Sequence, residues 1–269
     1  MTGGSERAFA KLNLALHVRG RRDDGFHAIE TIFAFCEDGD ELTAEPAEAL
    51  ALTIAGPFGG GLDPEGNLVT RAAERLREAC GATVGAKIAL TKLLPVASGV
   101  GGGSADAAAA LRLLDRMWGC HFDRSRLEDI GRALGADVPA CVGSTPMRGT
   151  GRGDVLEPVE LGLSGQPVLL VNPRVELATG EVFATWDGID HGPLGDWRMG
   201  RNDLEEPATR LVPQVRSVIA WLSAQDGVEL VRMSGSGATC FAFFDSEQQR
   251  DRAAEAVPRE WWRLATRLR

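Results

Sequence analysis

The first patterned stretch of the chain, AFAKLNLALHV at residues 8–18, alternates with a period of two. Ala8, Ala10, Leu12, Leu14, Leu16 and Val18 fall on one face, and Lys11, Asn13 and His17 on the other. That period predicts a strand with one apolar and one polar side. The glycine- and charge-rich GRRDDGFH then reads as a loop, and IETIFAF as a second strand. Over residues 67–80 the period lengthens: Leu68, Ala72, Leu76 and Ala79 recur at helical spacing behind a capping Asn67. AKIAL predicts a further strand, and residues 125–134 another helix. The C-terminal part begins with a strand, PVLLV, followed by helical segments around 179–185 and 208–224. The strands ELVRM and TCFAFF flank an SGSG turn, and a helix in SEQQRDRAAEAV precedes a last strand, WRLATRL. The order β-α-β-β-α-β predicts a ferredoxin-like domain. Pro and Gly in EPVELGLSGQP mark a boundary near 157–166, which divides the chain into residues 1–157 and 158–269. DGIDHGPLGDW carries no periodicity and reads as a loop.

PVASGVGGGSADAAAALRLLDRMW breaks these rhythms. Gly99, Gly101, Gly102 and Gly103 cannot form a regular element, whereas Ser104 onward is an alanine-rich helix with Ser104 as its expected cap. Glycines let a backbone approach a ligand closely, and the first N–H groups of a helix are unsatisfied and partly positive. Together they suit a nucleotide phosphate. A flexible surface turn is the plainer reading of such a run; the helix that abuts it favours the phosphate. The GK[ST] ending of a Walker A loop is absent.

Composition narrows the function. A length of 269 residues suits one large domain or two modest ones. The net charge of -9 argues against nucleic acid as a partner, yet leaves room for small phosphorylated ligands bound by backbone N–H groups. There is no signal-peptide pattern and no apolar run of membrane-spanning length, so the expectation is a cytoplasmic protein with no membrane role, a monomer or weak dimer. Five cysteines without a CxxC spacing predict reduced thiols rather than a zinc site or disulfide framework.

PVASGVGGGSADAA resembles the second motif of the GHMP kinases, whose glycine-rich loop wraps ATP phosphates. AKLNLALHVRGRRDDGFH resembles the first motif of the diphosphocytidyl-methylerythritol kinases in that superfamily, and MSGSGATCFAFF the third, a glycine-rich turn near the phosphates. GADVPACV and RGTGRGDVLEPV fit in order and spacing, so the resemblance spans residues 8–244. It implies an α+β, two-domain GHMP kinase fold: an N-terminal ribosomal-S5-like domain, a C-terminal ferredoxin-like domain and an active site in the cleft between them.

The resemblance also implies roles for individual residues. ATP would lie along Pro95, Ala97, Ser98, Gly99, Val100, Gly101, Gly102, Gly103 and Ser104. Mg²⁺ would accompany it, with Ser104 as a possible oxygen donor; Ala105 replaces a serine common in the family, and the metal ligands are left open. Lys11 would hold the acceptor hydroxyl and the γ-phosphate. Asp137, on local pattern a helix cap with Pro139 in the next turn, would be the general base. Asn13, Phe26, His27, Thr179 and Phe183 would bind the acceptor, a cytidine diphosphate methylerythritol, with the aromatic groups on the cytosine. Phe26 stands where tyrosine is common and lacks its hydroxyl; Asp154 stands where glutamate is usual. The alternatives are a GHMP kinase for homoserine, mevalonate or a sugar, which needs no cytosine reader, and a non-catalytic nucleotide binder. The presence of both Lys11 and Asp137 argues against the latter.

Overall fold

The computed structural model describes residues 2–269. The chain forms two compact units that alternate along the sequence. One comprises the residues up to Ala10, Asp38–Val96 and Gly101–Ser144; the other comprises Lys11–Glu37, Ala97–Val100 and Thr145–Arg269. Strands β1 (Gly4–Arg21) and β2 (His27–Ala47) pair with each other, and the chain passes from one unit to the other within each of them.

In the first unit, the end of β2 pairs antiparallel with β4 (Gly85–Thr91), which pairs parallel with β3 (Ala51–Ala55). The β3–β4 crossover carries α1 (Leu68–Cys80). Asn67 caps α1 as predicted, its side chain accepting the Val69 N–H at 2.9 Å, a bond worth about 1 kcal/mol. α1 packs on α2 (Gly102–Trp118), and α2 on α4 (Val138–Gly143), which also meets α3 (Arg124–Arg132). The alanines of α2 are buried from Ala107 to Ala110, because small side chains let neighbouring backbones approach closely. Helix α2 starts earlier than expected. Gly101, with φ +67°, is its N-cap residue, and Ser104 is its third residue rather than its cap. A glycine can turn the chain through the left-handed region directly into a helix without a capping side chain.

In the second unit, the start of β2 pairs with β5 (Met147–Thr150), which forms a hairpin with β6 (Val155–Pro158). The remainder is β7 (Pro167–Asn172), α5 (Thr179–Ala184), α6 (Glu205–Leu211), α7 (Gln214–Ser223), β8 (Val228–Met233), β9 (Cys240–Phe244), α8 (Glu247–Ala256) and β10 (Trp262–Arg267). Its sheet runs β10-β7-β9-β8 with every neighbouring pair antiparallel, the split β-α-β arrangement predicted. α7 and α8 cover the sheet and bury Val215, Val218, Leu222, Ala253 and Ala254 against Leu169, Val171 and Phe244.

The polar side of β1 is buried: Lys11, Asn13 and His17 are each hydrogen-bonded inside the protein. Buried polar groups persist only when such bonds replace water. His17 Nδ1 lies 3.0 Å from the carbonyl of Gly192, and its Nε2 accepts the Arg201 N–H at 3.3 Å, so the unpatterned loop after α5 completes the setting of that imidazole. The thiols are not all reduced: Cys80 and Cys120, 40 residues apart in sequence, form a disulfide, while Cys36, Cys141 and Cys240 are free and buried. The end of α1 lies against the end of α2, which brings two distant thiols within reach.

Candidate active site

The second unit gathers parts of three motifs around one hydroxyl. Ser234, in the turn between β8 and β9, accepts the Asn13 N–H at 3.1 Å and donates to the Gly99 carbonyl at 2.9 Å. The Lys11 N–H donates to the Val100 carbonyl, and the Thr239 N–H to the Ser98 carbonyl, both at 3.0 Å. The start of the glycine loop is therefore held by strand β1 and by the SGSG turn. Asn202 braces that turn from beneath, donating to the carbonyls of Met233 and Gly235 at 2.8 and 2.7 Å.

This packing explains Gly99. Its φ is +80°, and a Cβ there would lie 2.2 Å from the Ser234 carbonyl oxygen. Close backbone contact with the turn demands glycine at this position whether or not a ligand is bound. Ala97 also takes a left-handed φ, +49°. A Cβ makes that conformation cost about 1–2 kcal/mol, a strain that clusters at ligand-binding loops.

Lys11 is positioned through its side chain. Its Nζ donates to Asn13 Oδ1 at 2.8 Å and lies 4.9 Å from the centre of the Phe33 ring. Asn13 Nδ2 donates to Thr31 Oγ1 at 2.8 Å, and the Thr31 hydroxyl donates to the Ala15 carbonyl at 2.7 Å. This chain of bonds fixes the orientation of the amide, and with it the oxygen that receives the ammonium. Ser234 lies within the MSGSGATCFAFF motif, whereas Thr31 and Asn202 carry no sequence signal, because a buried hydroxyl or amide looks like any other in the sequence.

Among the proposed acceptor residues, His27 and Phe183 come together. Their rings stack, with centroids 4.9 Å apart and planes inclined by 28°. Trp186, missed in the sequence, meets His27 edge-on at 5.6 Å. It stands three residues after Phe183, just past the end of α5, and that aromatic spacing is the signal that would have found it. Burial, and then the charge of Arg21, hold the His27 imidazole below its ordinary pKa. At neutral pH it presents one donor and one acceptor. Phe26 is 55% exposed, and its ring partner is the Arg152 guanidinium, 5.1 Å from its centre. Asp154 in turn binds Arg152 at 2.9 Å, so the shorter acid still holds this loop. The Thr179 hydroxyl lies 2.9 Å from that of Ser236 in the SGSG turn.

In the first unit, Asp137 occupies the N-cap position of α4, with Pro139 in the first turn as predicted. Its side chain makes no cap bond to the helix. The first turn of α2 likewise has no side-chain cap. Its N–H groups at Gly102, Gly103 and Ser104 have the polarity that attracts an anion. A Cβ on Gly103 would touch only Leu68, at 3.6 Å.

Comparison with known proteins converges on one family. Residues 67–144 match the family described as GHMP kinases N terminal domain, and residues 188–264 match GHMP kinases C terminal. The 4-diphosphocytidyl-2-C-methyl-D-erythritol kinase of Rhizorhabdus wittichii is 56% identical over 98% of this chain and 94% of its own length. The protein of that name from Novosphingobium aromaticivorans is 52% identical over 98% of this chain and 92% of its own. A crystal structure of 4-(cytidine 5'-diphospho)-2C-methyl-D-erythritol kinase superposes with a TM-score of 0.86 at 34% identity, covering 98% of this chain and 99% of that one. The chain therefore belongs to the GHMP kinases and, within them, to the 4-diphosphocytidyl-2-C-methyl-D-erythritol kinase family.

Proposed function

We propose that the protein transfers the γ-phosphoryl group of ATP to the 2-hydroxyl of 4-diphosphocytidyl-2-C-methyl-D-erythritol, giving the 2-phosphate and ADP. The observation that carries this reading is the near-full-length identity of 56% to a relative bearing that kinase's name. Asp137 takes the hydroxyl proton, the freed oxygen attacks phosphorus in line, and the bond to the β-phosphate oxygen breaks. Lys11 stabilises the charge on the moving phosphoryl group. Phosphates lie along residues 95–104, where backbone N–H groups supply positive ends without a net positive surface.

Among the described residues, no group of three His, Cys, Asp or Glu side chains is arranged to hold a metal. Mg²⁺ would come in on the ATP phosphates and keep several waters, with the Ser104 hydroxyl as an oxygen that the glycine loop would offer it. His27, Phe183 and Phe26 bind the cytosine, and Asn13 and Thr179 the remainder of the acceptor.

A coupled ADP-release assay with a panel of acceptors tests the proposal. ADP release with the cytidine acceptor and little with homoserine, mevalonate or galactose is the expected result. Preference for one of the latter three would overturn the assignment.

A further inference from the structure

The first unit contains a buried ion cluster that the proposed reaction does not use. Asp40, Lys92 and Asp106 are each at most 3% exposed. The Lys92 ammonium contacts Asp40 Oδ2 at 2.5 Å and Asp106 Oδ2 at 2.7 Å. The other oxygen of Asp40 accepts the N–H groups of Leu93 and Leu94, at 2.5 and 2.8 Å. Asp106 Oδ1 is buried and has no hydrogen-bond partner.

These contacts fall at the two ends of the glycine loop. Leu93 and Leu94 lead directly into Pro95, where the loop begins. Gly101 ends it as the N-cap residue of α2. A Cβ built on Gly102 would lie 3.2 Å from Lys92 Nζ and 3.7 Å from Asp40 Oδ2, so the first turn of α2 rests on the ammonium group itself. Asp106 lies four residues further along, on the same face of the helix. One ion cluster thus grips the chain where it enters the loop and where it leaves.

Stability alone does not account for this choice of residues. A buried ion cluster generally stabilises a protein no better than well-packed apolar side chains of the same volume. This one also leaves a carboxylate oxygen unpaired. Apolar residues, however, cannot hold three segments by bonds of fixed length and direction. We infer that Asp40, Lys92 and Asp106 are positioning residues that set the span and orientation of the glycine loop, and so its affinity for nucleotide phosphates. The inference rests on the reading of that loop as the ATP site. Burial, against the opposing pull of Lys92 and with the charge of Asp40, raises the pKa of Asp106 to about 7.

The test is calorimetric titration of the wild type, Lys92→Met and Asp106→Asn with a non-hydrolysable ATP analogue and, separately, with the cytidine acceptor. Thermal melts of each variant check folding. The expected result is an affinity for the ATP analogue at least about tenfold weaker in both variants, a loss of about 1.4 kcal/mol, with acceptor affinity within about twofold of wild type. Asp106→Asn keeps the side chain's size and carries the test if Lys92→Met does not fold. A folded variant with wild-type ATP affinity, or one that loses both ligands equally, would overturn the inference. A wild type that binds the acceptor but no ATP analogue would overturn the reading of the loop, and this inference with it.

Discussion

His27 and Phe183 stack face to face, 4.9 Å between ring centres, although 156 residues separate them in the chain. The pair joins the start of β2 to α5, and Trp186 closes its edge. A planar heterocycle recognised here gains a ready aromatic surface and a neutral imidazole with one donor and one acceptor. Stacking on an aromatic side chain contributes about 1–3 kcal/mol per base. His27→Ala should therefore raise KM for the cytidine acceptor by about 5–150-fold, the same energies expressed as a ratio, with KM for ATP nearly unchanged. Steady-state kinetics in both substrates provide the check. Equal efficiency with a cytidine-free acceptor would remove the base from this site.

Asp137 tests the chemistry. Its carboxylate makes no cap bond to α4, and asparagine is an equally good residue at an N-cap position. Asp137→Asn should fold with a near-normal melting temperature. Loss of a general base costs about 10²–10⁴-fold in turnover, and kcat should fall by that range. Wild-type turnover in the variant would leave Asp137 a structural residue.

Gly103 separates phosphate binding from packing, which Gly99 cannot do. A methyl group at position 103 meets only Leu68 at an ordinary 3.6 Å, and the position is helical. Alanine in a helix is favoured over glycine by about 0.5–1 kcal/mol. Gly103→Ala should raise the melting temperature of the ligand-free protein slightly, yet weaken binding of an ATP analogue if phosphates approach this backbone as closely as the absence of a side chain allows. Unchanged nucleotide affinity would mean that the phosphates do not approach this turn.

Asp106 predicts a pH dependence of stability. Burial raises its folded-state pKa from 3.8 to about 7, against the opposing effect of Lys92. Between those values the folded protein holds a proton that the unfolded chain releases, so stability from this group falls as pH rises. Its contribution is fully present below about pH 4 and is lost by about pH 7. Melts across that window should show a decline in the wild type that is shallower in Asp106→Asn. Parallel curves for the two proteins would refute the assignment of the titration to this carboxyl.

Residue pattern alone determined the strand of the first motif, helix α1 with its Asn67 cap, the β-α-β-β-α-β order of the C-terminal part and the glycine loop before α2. Each depends on interactions within a few residues, where hydrophobic period, capping chemistry and the steric freedom of glycine act directly. The short strands β3, β5 and β6, by contrast, carried too little pattern to be read. Lys11, Asp137 and His27 stood out only through the resemblance of their motifs to the family; local pattern by itself made Asp137 a helix cap, the position it takes in the fold. Other features depended on the folded chain. Gly99 is glycine because Ser234, 135 residues away, lies against it. Lys92 is paired with Asp40 and Asp106, which lie 52 and 14 residues from it, and nothing in the local sequence ties the three together. The polar side of β1 is buried because Thr31, Ser234 and the loop at Gly192 replace water at its hydrogen-bonding groups. Cys80 and Cys120 meet only because α1 and α2 pack together. Local forces choose the element. Burial, pairing and close backbone contact belong to segments distant in sequence, and only the packed chain brings those segments together.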